Sequence, residues 1–353
     1  MSRALSLVVA LLTIATAFAQ PKGGEVQPDR IAFGTVHTGS IVEASFMMLE
    51  LGTDANIPLT VTAPKFVKVL HKATEARQYG PGNDFIAGRV EIAIDTSAAA
   101  QLKDEITVTL GKTTGKVPVS ATVKPRRPAQ TRLLIAETPF QCYSSKDGGI
   151  FQEWTDLVAR TSLDASYLLV TRGKSVLRDL NLGEFDTVLL GESGLYDMTP
   201  ADLKRVREFA ETGGRVIVSA NHFFRGTVEK ANKVVEGYGL QMRDEEANGN
   251  DKNDVTLQKE ELDKTLVKAG VNSLHFFRAS PVAITNANGR VIVKAVGVGE
   301  AKDGFVAIGR AGKGEVAVIG ESLWWSWISA QRAGDTDNAK LLRWLIVPRK
   351  REL

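Results

Sequence analysis

Residues 184–222 constrain the fold more than any other part of the chain, because two strand-like apolar runs there bracket one helical pattern. Val188, Leu189 and Leu190 form the first run, and Val216, Ile217 and Val218 the second. Between them Thr199 is placed as an N-cap, with Pro200 at the first helical position and Asp202 in the first turn. Leu203, Val206, Phe209 and Ala210 recur at helical spacing on one face, while Lys204, Arg205, Arg207 and Glu208 face water. Gly213 and Gly214 then permit the left-handed turn on which a helix stops. Strand, helix and strand in this order predict a parallel pair joined by a right-handed crossover.

The 353 residues suffice for two domains with cores of their own, and 43% hydrophobic against 24% charged residues excludes a wholly disordered chain. A formal charge of +3 gives no electrostatic reason to expect nucleic acid or an anionic membrane as partner. Residues 1–19 read as a secretory signal peptide: Arg3, a largely apolar run over 5–14, and Ala17-Phe18-Ala19 before Gln20. The run is short of the roughly 20 residues a membrane anchor needs. A secreted or periplasmic protein is therefore expected, without a stable membrane span once the leader is removed. Cys142 is the only cysteine, which leaves no internal disulfide. With no helix start or basic partner beside it, it reads as an incidental loop thiol.

Residues 20–29 read as a tether. Over 30–124 the pattern is of short strands, at 31–33, 41–49, 59–61, 66–70, 89–94, 105–110 and 116–123, separated by turn material such as Gly52-Thr53-Asp54 and Gly111-Lys112. Ile106, Val108 and Leu110 alternate with Thr107 and Thr109, the half-buried strand pattern. About seven such strands without a helical period predict a β-sandwich. His37 and His71 have no companions at metal-ligand spacing and read as surface or strand-edge residues. Residues 125–131, within KPRRPAQT, read as a solvated semi-rigid linker.

The second domain is placed at 132–348. A strand at 132–137 precedes a helix over 149–160, with Phe151, Trp154, Leu157 and Val158 at core spacing. Strands at 167–170 and 185–192, the unit described above and a helix over 227–238 follow, an order that predicts a doubly wound α/β domain. Residues 242–265 read as a mobile polar insertion, whose Asp244, Glu245, Glu246, Asp251 and Asp254 do not match calcium-loop spacing. Strands at 290–296, 304–310 and 315–320 come next, the last two in a hairpin through Ala311-Gly312-Lys313-Gly314. Helices close the chain at 322–331 and 336–347, the latter capped by Asp335 or Thr336 with Leu341, Leu342 and Leu345 inward.

Ligands of such sheets bind beyond the carboxyl ends of the strands. That rim collects Glu137 after the first strand, Glu192 after the third, Asn221 and His222 after the fourth, and Glu321 after the last. Each also has a plainer role open to it, capping a helix or bonding a loop amide. His222 either acts as general base or metal ligand, oriented by Glu192 and Glu321, or packs beside Phe223 and Phe224. His275 reads as a strand-end residue. Trp324, Trp327 and Ile328 share one helix face, leaving Trp325 either in the core or at the rim as a platform for a sugar. The glycine-rich pieces at 297–299 and 309–314 match no phosphate loop.

Two resemblances rest on these residues. The opening IAFGTVHTGSIVEASFMMLELG resembles bacterial immunoglobulin-like domains related to the ASH and major sperm protein groups, which implies an interaction module. FDTVLLGES, ETGGRVIVSAN, GEVAVIGES and DTDNAKLLRWL together resemble the class I glutamine amidotransferase-like superfamily, with trehalose-utilisation-like proteins as its nearest branch, over residues 131–348. That resemblance implies a cysteine elbow flanked by glycines, where this chain has Val218-Ser219-Ala220-Asn221-His222. It also implies a downstream histidine–glutamate pair, where the chain has Glu321-Ser322-Leu323-Trp324-Trp325. No thiolate stands at the elbow, and Ser219 lacks the G-x-S-x-G setting.

The expectation is an exported two-domain protein: an immunoglobulin-like β-sandwich, then a flavodoxin-like, amidotransferase-like doubly wound domain that has become a pseudoenzyme. It would bind a protein or glycan of the cell envelope, without a cofactor or metal. The alternative is a hydrolase acting on a carbohydrate or related substrate through the rim carboxylates and His222.

Overall fold

The computed structural model describes residues 23–78, 84–127, 130–136, 163–170, 174–222, 226–246, 254–295, 303–321 and 337–347. The first half holds strands β1 (Glu25–Gln27), β2 (Ile31–His37), β3 (Glu43–Leu51), β4 (Leu59–Thr62), β5 (Val67–Gln78), β6 (Asp84–Ile94), β7 (Ala100–Leu110) and β8 (Thr113–Lys124). They form two four-stranded sheets, ordered β1-β3-β6-β5 and β2-β8-β7-β4. Alternation decides which residues go inside: Ile106, Val108 and Leu110 of β7 and Val117, Val119, Ala121 and Val123 of β8 are buried, with polar neighbours between them. Phe33 from one sheet and Phe46 from the other are fully enclosed in the same core, each side chain contributing about 1.5–3 kcal/mol by its removal from water. The tether expected at 20–29 contributes β1, which pairs with β3.

The second half holds β9 (Arg132–Ala136), β10 (Asp164–Leu168), β11 (Thr187–Leu190), α1 (Glu192–Tyr196), α2 (Pro200–Thr212), β12 (Arg215–Ser219), α3 (Thr227–Val235), β13 (Leu240–Met242), β14 (Asp254–Gln258), α4 (Lys264–Lys268), β15 (Ser273–Phe277), β16 (Val282–Ile284), β17 (Gly289–Lys294), β18 (Gly304–Ala311), β19 (Gly314–Ile319) and α5 (Asn338–Ile346). Nine of these strands make one sheet, ordered β10-β9-β11-β12-β19-β18-β16-β13, with β17 on β18. β10, β9, β11, β12 and β19 are parallel, and from β19 onward every pairing is antiparallel.

The fold class expected from the sequence is therefore corrected. The second half is not a doubly wound α/β domain but a mixed sheet in a chain dominated by strands. The turn through Gly312 and Lys313 returns β18 directly beside β19, which an antiparallel pair allows and a parallel one does not. In the first half eight strands form the two sheets, with β2 parallel to β8, and the immunoglobulin-like assignment is withdrawn together with the family comparison below.

Local signals hold in α2. Thr199 and Asp202 form a reciprocal capping box, and the helix ends on Gly213, whose φ of 127° lies where a side chain is disfavoured. Asp202 is buried and also accepts hydrogen bonds from Ser175 Oγ (2.6 Å), Val176 N (3.0 Å) and Leu177 N (3.2 Å). The last helix starts later than expected, with Asp337 rather than Asp335 or Thr336 at its N-cap. The polar insertion is not wholly irregular either, since β14 pairs with β15 and places His275 within the strand rather than at its end. The helices expected at 149–160 and 322–331, and Cys142, lie outside the described residues.

The halves meet along β10. Tyr167 N donates to Ile41 O (2.7 Å), and Val42 and Tyr167 form a parallel bridge, so the edge of the large sheet is covered by chain from the first half. Two buried carboxylates lie on this seam. Glu43 accepts two bonds from Arg178 (2.7 and 2.9 Å) and one from Leu169 N (3.0 Å). Asp164 accepts from Ser40 Oγ (2.8 Å), meets Arg126 Nε at 2.6 Å and lies 3.6 Å from His37 Nδ1. His37, read as a surface or strand-edge residue, lies at the end of the edge strand β2 but is buried, and Arg126 is anchored rather than free in a solvated hinge.

Candidate functional site

The carboxyl ends of β11, β12 and β19 form a rim because the three strands are adjacent, parallel and in register, with Leu190 beside Val218 and Ser219 beside Ile319. Every residue of β11 and β12 is buried, and the polar residues that follow the strands begin at their carboxyl ends. Glu192 opens α1 directly after β11 and is 5% exposed. Gly194 lets that short helix settle on the end of β9, since a Cβ there would collide with the Ala136 carbonyl oxygen. Glu321 follows β19 and is 0% exposed, its carbonyl accepting from Ser219 Oγ at 2.6 Å. Asn221 is buried after β12, its carbonyl held by Thr227 Oγ1 (3.2 Å).

His222 is fixed from both sides. Its backbone N donates to Ser280 Oγ (2.9 Å), its Nδ1 lies 3.2 Å from the same oxygen, and its Nε2 lies 3.6 Å from Glu246. Glu246 in turn accepts from Nε (3.2 Å) and Nη2 (3.1 Å) of Arg278. Ser280 reaches the rim because its N donates to the Gly320 carbonyl (2.5 Å), an approach that any side chain at 320 would block. Burial pulls the His222 pKa below its ordinary value; Glu246 opposes this, Arg278 adds to it and Asp244 opposes it. The imidazole is therefore neutral at neutral pH, with a carboxylate in place to steady it if it takes a proton.

Of the residues singled out in the sequence, Glu192, Asn221, His222 and Glu321 stand at the ends of these three strands, and Glu137 and Trp325 lie outside the described residues. Glu246, Arg278 and Ser280 were missed as site residues. Glu246 was noticed only as a possible calcium ligand, and the short Arg278-Ala279-Ser280 turn after β15 carries no local motif. Among the described residues no group of three or more His, Cys, Asp or Glu side chains is placed to hold a metal ion. Nor is any helix among them long and apolar enough to cross a membrane.

No protein-family model and no curated protein matches the chain. Solved structures with a partial likeness include an exo-β-1,4-mannosidase, Op5Man5, from Opitutaceae bacterium strain TAV5, at 12% identity and TM-score 0.39, covering 64% of this chain and 37% of that one. Cytoplasmic protein STM1381 from Salmonella typhimurium LT2 aligns at 15% identity and TM-score 0.41, over 62% of this chain and 97% of that one. A cold-adapted β-galactosidase from Rahnella sp. R3 aligns at 13% identity and TM-score 0.40, over 63% and 32%. The chain thus spans about a third of the length of the two enzymes.

The amidotransferase-like and immunoglobulin-like resemblances are corrected: no family model supports either, and the large sheet is mixed, with antiparallel pairing from β19 onward, rather than doubly wound. The pseudoenzyme reading falls with them. A missing elbow cysteine is informative only for a chain whose family uses one.

Proposed function

We propose that the protein is a hydrolase acting on a carbohydrate or related polar substrate laid over the ends of β11, β12 and β19. The observation that carries this reading is the pair of buried carboxylates, Glu192 and Glu321, on the two strands that flank the end of β12. Two strand spacings, roughly 9.6 Å, separate those strands. Side chains from such positions reach the separations of roughly 5–9.5 Å at which carboxyl pairs cleave glycosidic bonds. One carboxyl group protonates the leaving oxygen, and the other activates water or attacks the sugar carbon. Asn221, between them, offers an amide to a sugar hydroxyl. His222 acts as a positioning residue, clamped by Ser280 and Glu246 at the edge of the site. The leader read in residues 1–19 would put this chemistry outside the cytoplasm.

The test is turnover of a panel of nitrophenyl glycosides by the full chain and by Glu192→Gln and Glu321→Gln. Loss of an acid or base typically costs about 10²–10⁴-fold in rate, and each variant is expected in that range. His222→Gln is expected to move the pH profile more than the maximal rate. Absence of turnover across the panel, or turnover in both carboxamide variants equal to that of the parent, would overturn the reading.

A further inference from the structure

The Lys124–Arg127 segment, expected to be a solvated linker, instead walls a cavity of about 430 Å³ at the seam between the halves. Thr35 and His37 from the end of β2, Lys124, Arg126, Arg127 and Gln130 line it. Three of its side chains, Lys124, Arg126 and Arg127, can only donate. Arg126 is committed to Asp164, which it covers so that the carboxylate is only 1% exposed. Lys124 and Arg127 are exposed and have no carboxylate partner among the described residues. Gln130 Nε2 lies 3.1 Å from His37 Nε2, and since an amide nitrogen only donates, the His37 proton sits on Nδ1, toward Asp164.

The cavity wall therefore carries three cations against one carboxylate, with the carboxylate screened from the space inside. His37 lies in the field of these groups: burial holds its pKa below the ordinary value, Asp164 opposes this, and Arg126, Lys124 and Arg127 all depress it further. The volume is that of a small-molecule site rather than of a lone water, for such sites start at about 300 Å³. Arginine and lysine are the side chains suited to tetrahedral oxyanions, the first by paired donors and the second as a point charge.

We propose that this cavity binds a small tetrahedral dianion, phosphate or sulfate, either free or carried on a small organic molecule. The bound anion lies between Lys124 and Arg127, with the Gln130 amide and Thr35 hydroxyl as further donors, and leaves the Arg126–Asp164 pair intact. This site is separate from the strand-end rim, so its test does not depend on the hydrolase reading.

The experiment follows the imidazole NMR signals of the full chain, which has 4 histidines, during titration with inorganic phosphate, sulfate or phenyl phosphate at constant ionic strength against chloride. His37→Gln assigns the reporting signal. A saturable shift of His37 with a rise in its pKa is expected for each dianion but not for chloride. Lys124→Ala/Arg127→Ala should weaken binding at least about tenfold, the loss of two charge contacts, with unchanged circular dichroism. Lys124→Glu/Arg127→Glu should abolish it. Tighter binding of phenyl phosphate than of phosphate assigns an organic ester as ligand, and equal binding assigns the free ion. Shifts that match those of chloride, or a double-alanine variant of unchanged affinity, would overturn the proposal.

Discussion

Buried carboxylates serve opposite ends at the seam and at the rim. At the seam Glu43 and Asp164 each face a guanidinium from a distant part of the chain, Arg178 and Arg126, and each also accepts a neutral donor, Leu169 N and Ser40 Oγ. The bonds of Glu43 and the Ser40–Asp164 bond span sequence separations of 124–135 residues, so what they fix is how β3 and the turn after β2 sit against β10. At the rim Glu192 and Glu321 are just as enclosed, but they stand where β11 and β19 end. The seam carboxylates hold the halves in place; for those at the strand ends we propose a part in chemistry.

The largest effect that would break this contrast lies at the seam. Glu43→Ala removes a carboxylate that is 6% exposed, strands Leu169 N–H and leaves Arg178 to find water. Breaking one side of a buried ion pair costs about 3–5 kcal/mol, and the partial exposure of Arg178 places this case at the lower end, about 3 kcal/mol. Denaturant unfolding should register that loss, while turnover per folded molecule stays that of the parent. A fall in turnover without a fall in stability would mean that Glu43 belongs with the rim.

A smaller effect, about 2 kcal/mol, is expected for Asp202→Ala, from the lost helix cap together with the lost buried acceptor. Burial raises the pKa of this carboxyl, but bonds from Ser175, Thr199 and Val176 outweigh that and hold it below the ordinary 3.8. With the folded pKa lowered, Asp202 stabilises the protein above the unfolded value and ceases to as pH falls through the folded one. The parent should therefore lose more stability than Asp202→Asn on acidification below pH 3.8. Parallel acid curves would sink this account of Asp202 and place it outside both groups of carboxylates.

What the sequence made legible was what is written locally. The cap at Thr199, the stop at Gly213, the strand runs at 188–190 and 216–218 and the alternation in β7 all emerged as read, because each depends on neighbours within a few residues. Beyond β19 the runs of β18 and β17 and the β18–β19 hairpin emerged as read, but β16 and β13 did not, since they are three-residue strands whose pairing is decided by distant partners. The rim was half legible: Glu192, Asn221, His222 and Glu321 follow apolar runs, but Ser280 and Glu246 reach His222 only through the path taken by the insertion. Asn338 shows the same limit. It carries no local signal, yet its amide clamps the His275 backbone through bonds of 3.0 and 2.8 Å, tying α5 to β15. Reading a family from scattered strand–turn matches fails for the related reason that such matches record the local grammar of strands and helices, which unrelated sheets share.

The smallest effect separates the two regions by their histidines. His37 at the seam and His222 at the rim both have pKa values lowered chiefly by burial, opposed by Asp164 at the first and by Glu246 at the second. The unfolded chain then takes up protons at about pH 6.5 that the folded one still refuses, so stability is full above that pH and declines as pH falls toward the folded values. His37→Gln and His222→Gln should each flatten the decline of the thermal midpoint between pH 7.5 and pH 5. Sulfate, which stays a dianion across this range, should distinguish them: an anion between Lys124 and Arg127 offsets the cations that depress His37, so added sulfate flattens the curve of the parent and of His222→Gln but only raises that of His37→Gln without changing its slope. Equal responses of the two variants would mean that the seam cavity does not control His37, and the electrostatic distinction between seam and rim would then rest on their carboxylates alone.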